Sequence, residues 1–264
     1  MAKGRCAQTC DLKLGSNTYD IMERKRVIIL GASSGIGHEV ARLFIEQGWT
    51  VGVAARRLDK LSDLKDNASE RVFTARIDVT DEDAEVALFQ LIKRMGGLDL
   101  YFHSSGIGWK NPTLEAEKEI KTMETNATGF TRMVGAAYRY FAAKGGGHIV
   151  CITSIAGTKG LGSAPAYSAT KAMQNTYLQA LEQLAVRKRH NIIFTDIRPG
   201  FVDTPLLTDS EHFPMLMTTE QVARSIMKAI RQRRHVCIID THWRILTFFW
   251  RLIPNWLWRR MKLS

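Results

Sequence analysis

The sequence RVIILGASSGIG at residues 26–37 joins a short β-branched run to a glycine-rich turn. A run such as Val27 to Leu30 is typical of a buried strand, and the residues after Gly37 have helical spacing. The glycines permit a tight turn close to a bound pyrophosphate, and the following helix N-terminus offers free N–H groups and the positive end of its dipole. The turn therefore predicts a dinucleotide site, with a purely structural turn as the alternative. The candidate phosphate-binding residues are Gly31, Ser33, Ser34, Gly35, Ile36 and Gly37.

The end of the second predicted strand distinguishes between two forms of the cofactor. Enzymes that bind NAD usually place an Asp or Glu there, which hydrogen-bonds the ribose hydroxyls. This sequence has Ala55 at that position, followed by Arg56 and Arg57. A guanidinium pairs well with the 2′-phosphate that distinguishes NADP from NAD. We therefore expect NADP(H) rather than NAD, although two solvated arginines at the start of a helix are the alternative interpretation.

Short apolar runs alternate with longer amphipathic stretches from residue 24 onward. Strands that alternate with helices indicate a parallel sheet with helices on both faces, and continuous apolar strands support that burial. The predicted strands are 26–30, 49–54, 71–79, 98–103, 148–153, 191–197 and 235–239. The predicted helices are 36–47, 58–65, 82–94, 114–143, 166–187 and 219–232. The predicted fold class is a single-domain α/β protein with a doubly wound parallel sheet.

Length and composition suit one globular domain with a large core. The chain has 264 residues, of which 45% are hydrophobic and 24% are charged. Its four cysteines include no Cys-x-x-Cys pair and its seven histidines are scattered, so we expect no metal site and a reducing compartment such as the cytoplasm. Residues 1–23 are interpreted as a disordered leader or extension. The predicted oxidoreductase domain covers residues 24–241, and a Trp/Arg-rich amphipathic helix or tail covers residues 242–264.

The formal net charge of +11 raises the question of a nucleic-acid partner. Much of the excess lies near the C-terminus without a recognition helix or stacking motif, so we expect an anionic surface or a solvated tail and no nucleic acid. Arg251 and Pro254 interrupt the apolar tail, which is too short and too charged to span a bilayer. Packing on the protein, contact with another subunit and peripheral contact with the inner face of a membrane remain the alternatives.

Tyr167 and Lys171 lie four residues apart at the start of a long predicted helix and therefore share one helical face. A free tyrosine has a pKa of about 10, and a neighbouring ammonium should lower that pKa toward the range of acid–base catalysis. Ser154 follows the fifth predicted strand, and Asn126 lies in the long helical region before that strand. A partly exposed surface pair is the alternative for Tyr167 and Lys171, but the order of these groups along the chain favours a catalytic site.

Five segments together resemble the short-chain dehydrogenase/reductase family, in its branch with a YSATK-type motif. They are GASSGIG at 31–37, ETNATG at 124–129, ITSIAG at 152–157, YSATK at 167–171 and RPGFVDT at 198–204. The resemblance implies a Rossmann-type sheet of about seven strands with helices on both faces. It also implies hydride transfer between a nicotinamide and a carbonyl or secondary alcohol, and a homodimer or homotetramer.

The resemblance further implies a role for each matching residue. Tyr167 would protonate the carbonyl oxygen, and Ser154 would hydrogen-bond that oxygen. Lys171 would hold the nicotinamide ribose and depress the tyrosine pKa, while Asn126 would position a water in a proton relay. The remaining implied cofactor contacts are Asp78 and Val79 at the adenine, Gly106, Pro199, Gly200 and Val202 along the cofactor, and Thr204 at the carboxamide.

One segment departs from the family pattern. Where the family commonly carries Asn-Asn-Ala-Gly after the fourth strand, this chain has His103-Ser104-Ser105-Gly106. The glycine that lets the backbone approach the cofactor is kept. His103 is interpreted as a packed, hydrogen-bonded histidine, with a substrate-side acid as the alternative.

Residues 200–217 are long and irregular, which is typical of a functional loop, and the family forms its substrate lid there. The apolar side chains of this segment suggest an apolar substrate. Two other functions stay open: a catalytically silent NADPH-binding regulator, and a lipid ketoreductase at a membrane surface. A complete set of Asn126, Ser154, Tyr167 and Lys171 counts against the silent regulator, which needs no proton relay.

Overall fold

The computed structural model describes residues 25–66, 70–207 and 213–262, in which strands and helices alternate. The elements are β1 (Arg26–Leu30), α1 (Gly35–Glu46), β2 (Thr50–Ala55), α2 (Ser62–Asp66), β3 (Val72–Arg76), α3 (Ala84–Arg94), β4 (Leu100–His103), α4 (Ala116–Met123), α5 (Phe130–Lys144), β5 (Gly147–Ile152), α6 (Pro165–Lys188), β6 (Ile192–Arg198), α7 (Thr219–Arg231), β7 (Val236–Ile238), α8 (Thr241–Leu252) and α9 (Asn255–Trp258). Short 3₁₀ turns cover Leu58–Leu61 and Ile155–Thr158. The predicted leader, residues 1–23, lies outside the described residues.

The seven strands form one parallel sheet in the order β3-β2-β1-β4-β5-β6-β7, which confirms the predicted fold class. The order reverses direction between β1 and β4, and parallel sheets open a ligand crevice at such a point, beyond the carboxyl ends of the strands. Leu30 at the end of β1 is paired with Ala54 in β2 and with His103 in β4. The segments that follow these three strands therefore leave the sheet at one edge.

Each face of the sheet is covered by helices. Successive residues of a strand point to opposite faces, so Val27 and Ile29 belong to the core beneath α1 and α7, whereas Ile28 and Leu30 belong to the core beneath α3, α5 and α6. All four side chains are at most 1% exposed. The continuous apolar run of β1 is thus explained by burial on both sides.

Three predicted elements differ from the observed ones. The predicted helix 58–65 begins as the 3₁₀ turn Leu58–Leu61 and continues as α2. The predicted helix 114–143 is divided into α4 and α5 by the π-helical segment Glu124–Gly129, whose wider turn a periodicity of 3.6 residues does not reveal. The predicted strand 71–79 ends at Arg76, because the chain turns away from β2 and Asp78 accepts hydrogen bonds from Thr80.

The C-terminal residues form α8 and α9, and their inward side packs on the domain. Asp240 caps α8 by accepting hydrogen bonds from the backbone of His242 and Trp243. Trp243 is 2% exposed and Trp258 is 8% exposed. In the part of the chain that the structure describes, no helix combines the length and the apolarity needed to cross a membrane. The domain boundaries 24–241 and 242–264 stay a prediction.

We expect Gly37→Ala to lower the free energy of unfolding by about 1–3 kcal/mol, the usual cost of overpacking. A Cβ at Gly37 would lie 2.2 Å from the carbonyl oxygen of Gly31, a backbone atom that cannot move aside cheaply. Urea unfolding monitored by circular dichroism measures the change. Gly160→Ala is the matched control, because a Cβ there would meet nothing within 4 Å. Equal unfolding midpoints for the two variants would contradict the prediction.

Candidate active site

The glycine-rich turn lies at the crevice between β1 and β4. The backbone N–H groups of Gly31 and Ala32 donate to the carbonyl of Ala54, at 2.8 and 3.2 Å, and Gly31 has a φ of 92°. A Cβ at Gly31 would come within 2.6 Å of the backbone nitrogen of Ser105, so only glycine permits this approach of the two loops. Ser34 makes no side-chain cap and the first turn of α1 carries no acidic residue. The first N–H groups of α1 therefore remain available to an anion, as a pyrophosphate requires.

The residues predicted at the 2′-phosphate directly follow β2. Ala55 ends the strand and is 5% exposed, whereas Arg56 and Arg57 are both exposed. Within the described residues neither guanidinium forms an ion pair. The edge of the sheet beside the glycine-rich turn thus carries two cations and no carboxylate at the position where NAD-binding enzymes place one.

The other predicted cofactor residues are spread around the same edge. Thr204 lies beside the glycine-rich turn, since a Cβ at Gly35 would be 3.1 Å from Thr204 Cγ2. Asp78 is partly exposed after β3, but the Val79 side chain is 2% exposed and packs against Gly129. Pro199, Gly200 and Val202 follow β6, and of these Pro199 and Val202 are buried. Val202 forms an isolated parallel bridge with Met217.

Tyr167, Lys171 and Ser154 lie together where β5 meets the start of α6. Ser154 is 6% exposed and accepts a hydrogen bond from the backbone of Ala156 at 3.0 Å, and its hydroxyl lies close enough to the Tyr167 phenol to affect the pKa of that phenol. Lys171 Nζ is 5.7 Å from the centre of the Tyr167 ring. The three predicted catalytic groups therefore form one cluster, with the aromatic ring half-buried and its neighbours buried.

Burial dominates the ionisation of this cluster. It raises the pKa of the Tyr167 phenol above its ordinary value, although the nearby Ser154 hydroxyl lowers that pKa. Burial also lowers the pKa of Lys171 to about 8, despite the opposing charge of Asp196. Burial outweighs any lowering of the Tyr167 pKa in this structure, and the predicted effect of Lys171 on that pKa stays a prediction. The ammonium donates to the carbonyl of Ile152 at 3.2 Å and to Gln174 at 3.0 Å.

Asn126 is completely buried in the π-helical segment and holds the loop after β4. Its side chain accepts a hydrogen bond from the backbone N–H of Ile107 at 2.9 Å and donates to the Ile107 carbonyl at 2.6 Å. The Asn126 backbone carbonyl accepts a hydrogen bond from Gln174 Nε2 at 2.8 Å. The side-chain amide of Gln174 thus joins Asn126 to Lys171.

Gln174 was not among the predicted site residues. It is completely buried and bridges two of them, because its Oε1 accepts from Lys171 while its Nε2 donates to the Asn126 carbonyl. One signal in the sequence could have identified it. Gln174 lies three residues after Lys171, so it shares the helical face of that lysine, where a buried polar group needs a partner.

His103 is packed in the core, which confirms the first interpretation of that residue. It is completely buried, its Nδ1 is 2.9 Å from the Tyr101 hydroxyl, and its ring meets Phe130 edge-on. Burial and the nearby Lys171 ammonium lower the pKa of His103 to about 3, which keeps it neutral. The alternative of a substrate-side acid is wrong.

The loop after β4 covers the Tyr167 ring and meets the loop after β6. Gly108 packs flat against the Tyr167 ring, since a Cβ there would be 2.4 Å from Tyr167 Cδ2. In the predicted lid, the centres of the Phe213 and Phe201 rings lie 4.8 Å apart. Lys110 Nζ lies 5.3 Å from the centre of the Phe213 ring. Residues 208–212 of the predicted lid lie outside the described residues. The loop after β4 and the loop after β6 therefore approach each other across the crevice.

A column of aromatic rings connects the second loop to the C-terminal helix. The Phe201 ring meets the Trp243 ring edge-on, with 5.5 Å between centroids. A Cβ at Gly200 would be 2.3 Å from the Trp243 indole, so the tryptophan lies directly on the backbone of the predicted cofactor loop. The sequence pattern gave no sign of this contact.

A family described as short chain dehydrogenase matches residues 25–214. An uncharacterized oxidoreductase of Mycobacterium tuberculosis is 30% identical over 248 residues, covering 90% of this chain and 97% of the relative. An uncharacterized oxidoreductase of Listeria monocytogenes is 33% identical over 217 residues, covering 78% of this chain and 84% of the relative. The chain belongs to the short-chain dehydrogenase family, and it is an NAD(P)-dependent oxidoreductase that acts on CH–OH and C=O groups.

Solved structures show the same fold. A short-chain dehydrogenase/reductase from Mycobacterium marinum is 26% identical with a TM-score of 0.75, covering 83% of this chain and 95% of that one. A short-chain dehydrogenase from Sphingobium yanoikuyae in complex with NADPH is 22% identical with a TM-score of 0.75, covering 91% of this chain and 97% of that one.

Proposed function

We propose that this protein uses NADP(H) and that Tyr167 exchanges the proton with the substrate oxygen. The observation that carries the proposal is the cluster of Tyr167, Ser154 and Lys171 at the same sheet edge as the open N-terminus of α1. The bound nicotinamide supplies or accepts the hydride. Ser154 hydrogen-bonds the substrate oxygen and orients it toward the phenol.

Because the pKa of Tyr167 is raised, the phenol carries its proton at neutral pH. A protonated phenol can donate that proton to a substrate oxygen on which negative charge develops. The Lys171 ammonium, held by Ile152 and Gln174, stabilises the phenolate that remains and orients the nicotinamide ribose. Asn126 keeps the loop at Ile107 in place and, through Gln174, limits the movement of Lys171.

The preference for NADP over NAD rests on Arg56 and Arg57. Both guanidiniums are exposed directly after β2, and Ala55 offers no carboxylate to ribose hydroxyls. A guanidinium recognises a phosphate dianion with charge-assisted hydrogen bonds. The phosphate-binding residues proposed from the glycine-rich turn are Gly31, Ser33, Ser34, Gly35, Ile36 and Gly37. The other proposed cofactor contacts are Asp78, the Val79 backbone, Gly106, Lys171, Pro199, Gly200, Val202 and Thr204.

We propose an apolar carbonyl or alcohol as the substrate, because the loop after β6 carries the paired rings of Phe201 and Phe213, and Gly108 packs against the Tyr167 ring. Screening apolar ketones for NADPH oxidation tests the proposed reaction against the silent regulator. Oxidation that depends on the ketone supports the enzyme, whereas tight NADPH binding without turnover of any ketone class favours the regulator. The predicted homodimer or homotetramer stays a prediction.

The bridge formed by Gln174 leads to a prediction about pH. Gln174→Met keeps the volume but removes the acceptor of the Lys171 ammonium, so we expect the pKa of Lys171 to fall below about 8 by about one unit. Because a charged Lys171 is needed, activity falls as the pH rises through the pKa of this lysine. The alkaline limb of the kcat/KM profile should therefore move to lower pH. Gln174→Glu places a carboxylate there and should move the same limb to higher pH. Identical profiles for both variants would exclude this role.

A further inference from the structure

Helix α8 carries apolar side chains on the side that faces away from the protein. Ile245, Phe248, Phe249 and Leu252 follow the spacing i, i+3, i+4, i+7, which places them on one helical face. Trp256 and Leu257 of α9 are exposed as well, and we call these six side chains together the C-terminal apolar face. The exposed fractions of these six side chains are 53, 60, 57, 63, 63 and 41%.

This face is held in a fixed orientation by contacts on the opposite side of the helix. Trp243 and Thr247 are buried beneath α8. Lys159 Nζ donates to the Ile253 carbonyl at 2.9 Å, and Trp258 Nε1 donates to the Gly160 carbonyl at 2.7 Å. The inward side of the segment is therefore fully used in packing, and the six exposed apolar side chains are not needed to hold α8 and α9 on the domain.

The charged side chains of the segment that carries the C-terminal apolar face are all positive. Thr241 to Lys262 contains no Asp or Glu. Its basic residues are Arg244, Arg251, Arg259, Arg260 and Lys262, all exposed. None of these five cations forms an ion pair with a carboxylate that the structure describes. A large apolar surface on a protein marks a site of interaction, and the basic border favours an anionic occupant.

We propose that the C-terminal apolar face docks on a lipid surface with anionic headgroups. Aromatic and aliphatic side chains would enter the boundary between headgroups and acyl chains, while the arginines remain at the headgroups. A second copy of the chain fits this surface less well, because pairing through it would bring the five cations of each copy together without a carboxylate. The docking does not depend on the proposed reaction.

Co-sedimentation of the full chain with lipid vesicles, without substrate, tests the proposal. We expect binding to vesicles of phosphatidylglycerol and phosphatidylcholine in roughly equal amounts, and much weaker binding to phosphatidylcholine alone or at high salt. Phe248→Asn with Leu252→Asn should reduce the affinity about 10-fold or more, because each loses a buried apolar contact. Arg251→Gln with Arg260→Gln should reduce binding to the anionic vesicles by about 30-fold.

Val186→Asn is the matched control, because Val186 is an apolar residue of α6 that is 75% exposed and distant from α8 in sequence. Its affinity for the vesicles should equal that of the original protein. Unchanged urea midpoints for all variants show that the fold is kept, as expected for exposed positions. Absence of vesicle binding, or equal binding by the Phe248/Leu252 double variant, overturns the proposal. A change in oligomeric mass of that variant without vesicle binding also overturns it, in favour of a second copy.

Discussion

Tyr167→Phe should lower kcat for reduction of a carbonyl by about 10³-fold and leave NADPH binding almost unchanged. The variant keeps the ring that packs against Gly108 and removes only the hydroxyl that donates the proton. Loss of a general acid in this position usually costs two to four orders of magnitude, so about 10³ is the central expectation. Steady-state turnover and titration of NADPH fluorescence give the two quantities separately.

Tyr177→Phe is the control for that experiment. Tyr177 lies further along α6, where its ring contacts Phe130, 6.3 Å away between centroids. We expect this second variant to turn over substrate at nearly the original rate. Normal turnover by Tyr167→Phe would remove the proposed role of the phenol, and loss of NADPH binding would mean that the hydroxyl supports the cofactor site instead.

Replacing Arg56 and Arg57 by alanine should raise the KM for NADPH by about 100-fold and change the KM for NADH by much less. A hydrogen bond to a charged group contributes about 1.5–3 kcal/mol, so the loss of two guanidiniums from one phosphate accounts for a factor of this size. NADH lacks the 2′-phosphate, so the KM for NADH should change little. Steady-state kinetics with both cofactors provide the ratio, and the two single variants reveal which arginine contributes more.

Arg187→Ala is the matched control, because it removes an exposed arginine at the end of α6, outside the proposed cofactor site. It should leave both KM values unchanged. An equal rise in the KM for NADPH and for NADH in the double variant would indicate a general structural effect. An original protein that already prefers NADH would contradict the proposed specificity itself.

The sequence was sufficient for the fold because its local signals and its long-range order agree. The apolar run of β1 can be buried only in a sheet covered on both faces, and the seven strands follow from the same pattern. The positions of Tyr167, Lys171 and Ser154 were also predictable, since strand ends and helix starts meet at one edge of a parallel sheet. The roles of these residues remain proposals.

What the sequence did not reveal depends on burial and on contacts between distant segments. Burial raises the Tyr167 pKa above its ordinary value, and burial is a property of the folded chain. The π-helical segment that turns Asn126 toward Ile107 differs from an α-helix by one wider turn, which no hydrophobic periodicity shows. The bridge through Gln174 joins α6 to that segment across 48 positions of the chain.

The contact between Gly200 and Trp243 bears on how the protein can be shortened. The final helices look like an appendage in the sequence, yet the indole of Trp243 covers the backbone of Gly200 and meets the ring of Phe201. A truncation before α8 would uncover that glycine and leave Phe201 with one ring neighbour fewer, next to the proposed cofactor contacts. Protein engineers who want a minimal catalyst should therefore trim no further than residue 258 and alter the outer side of α8 by substitution.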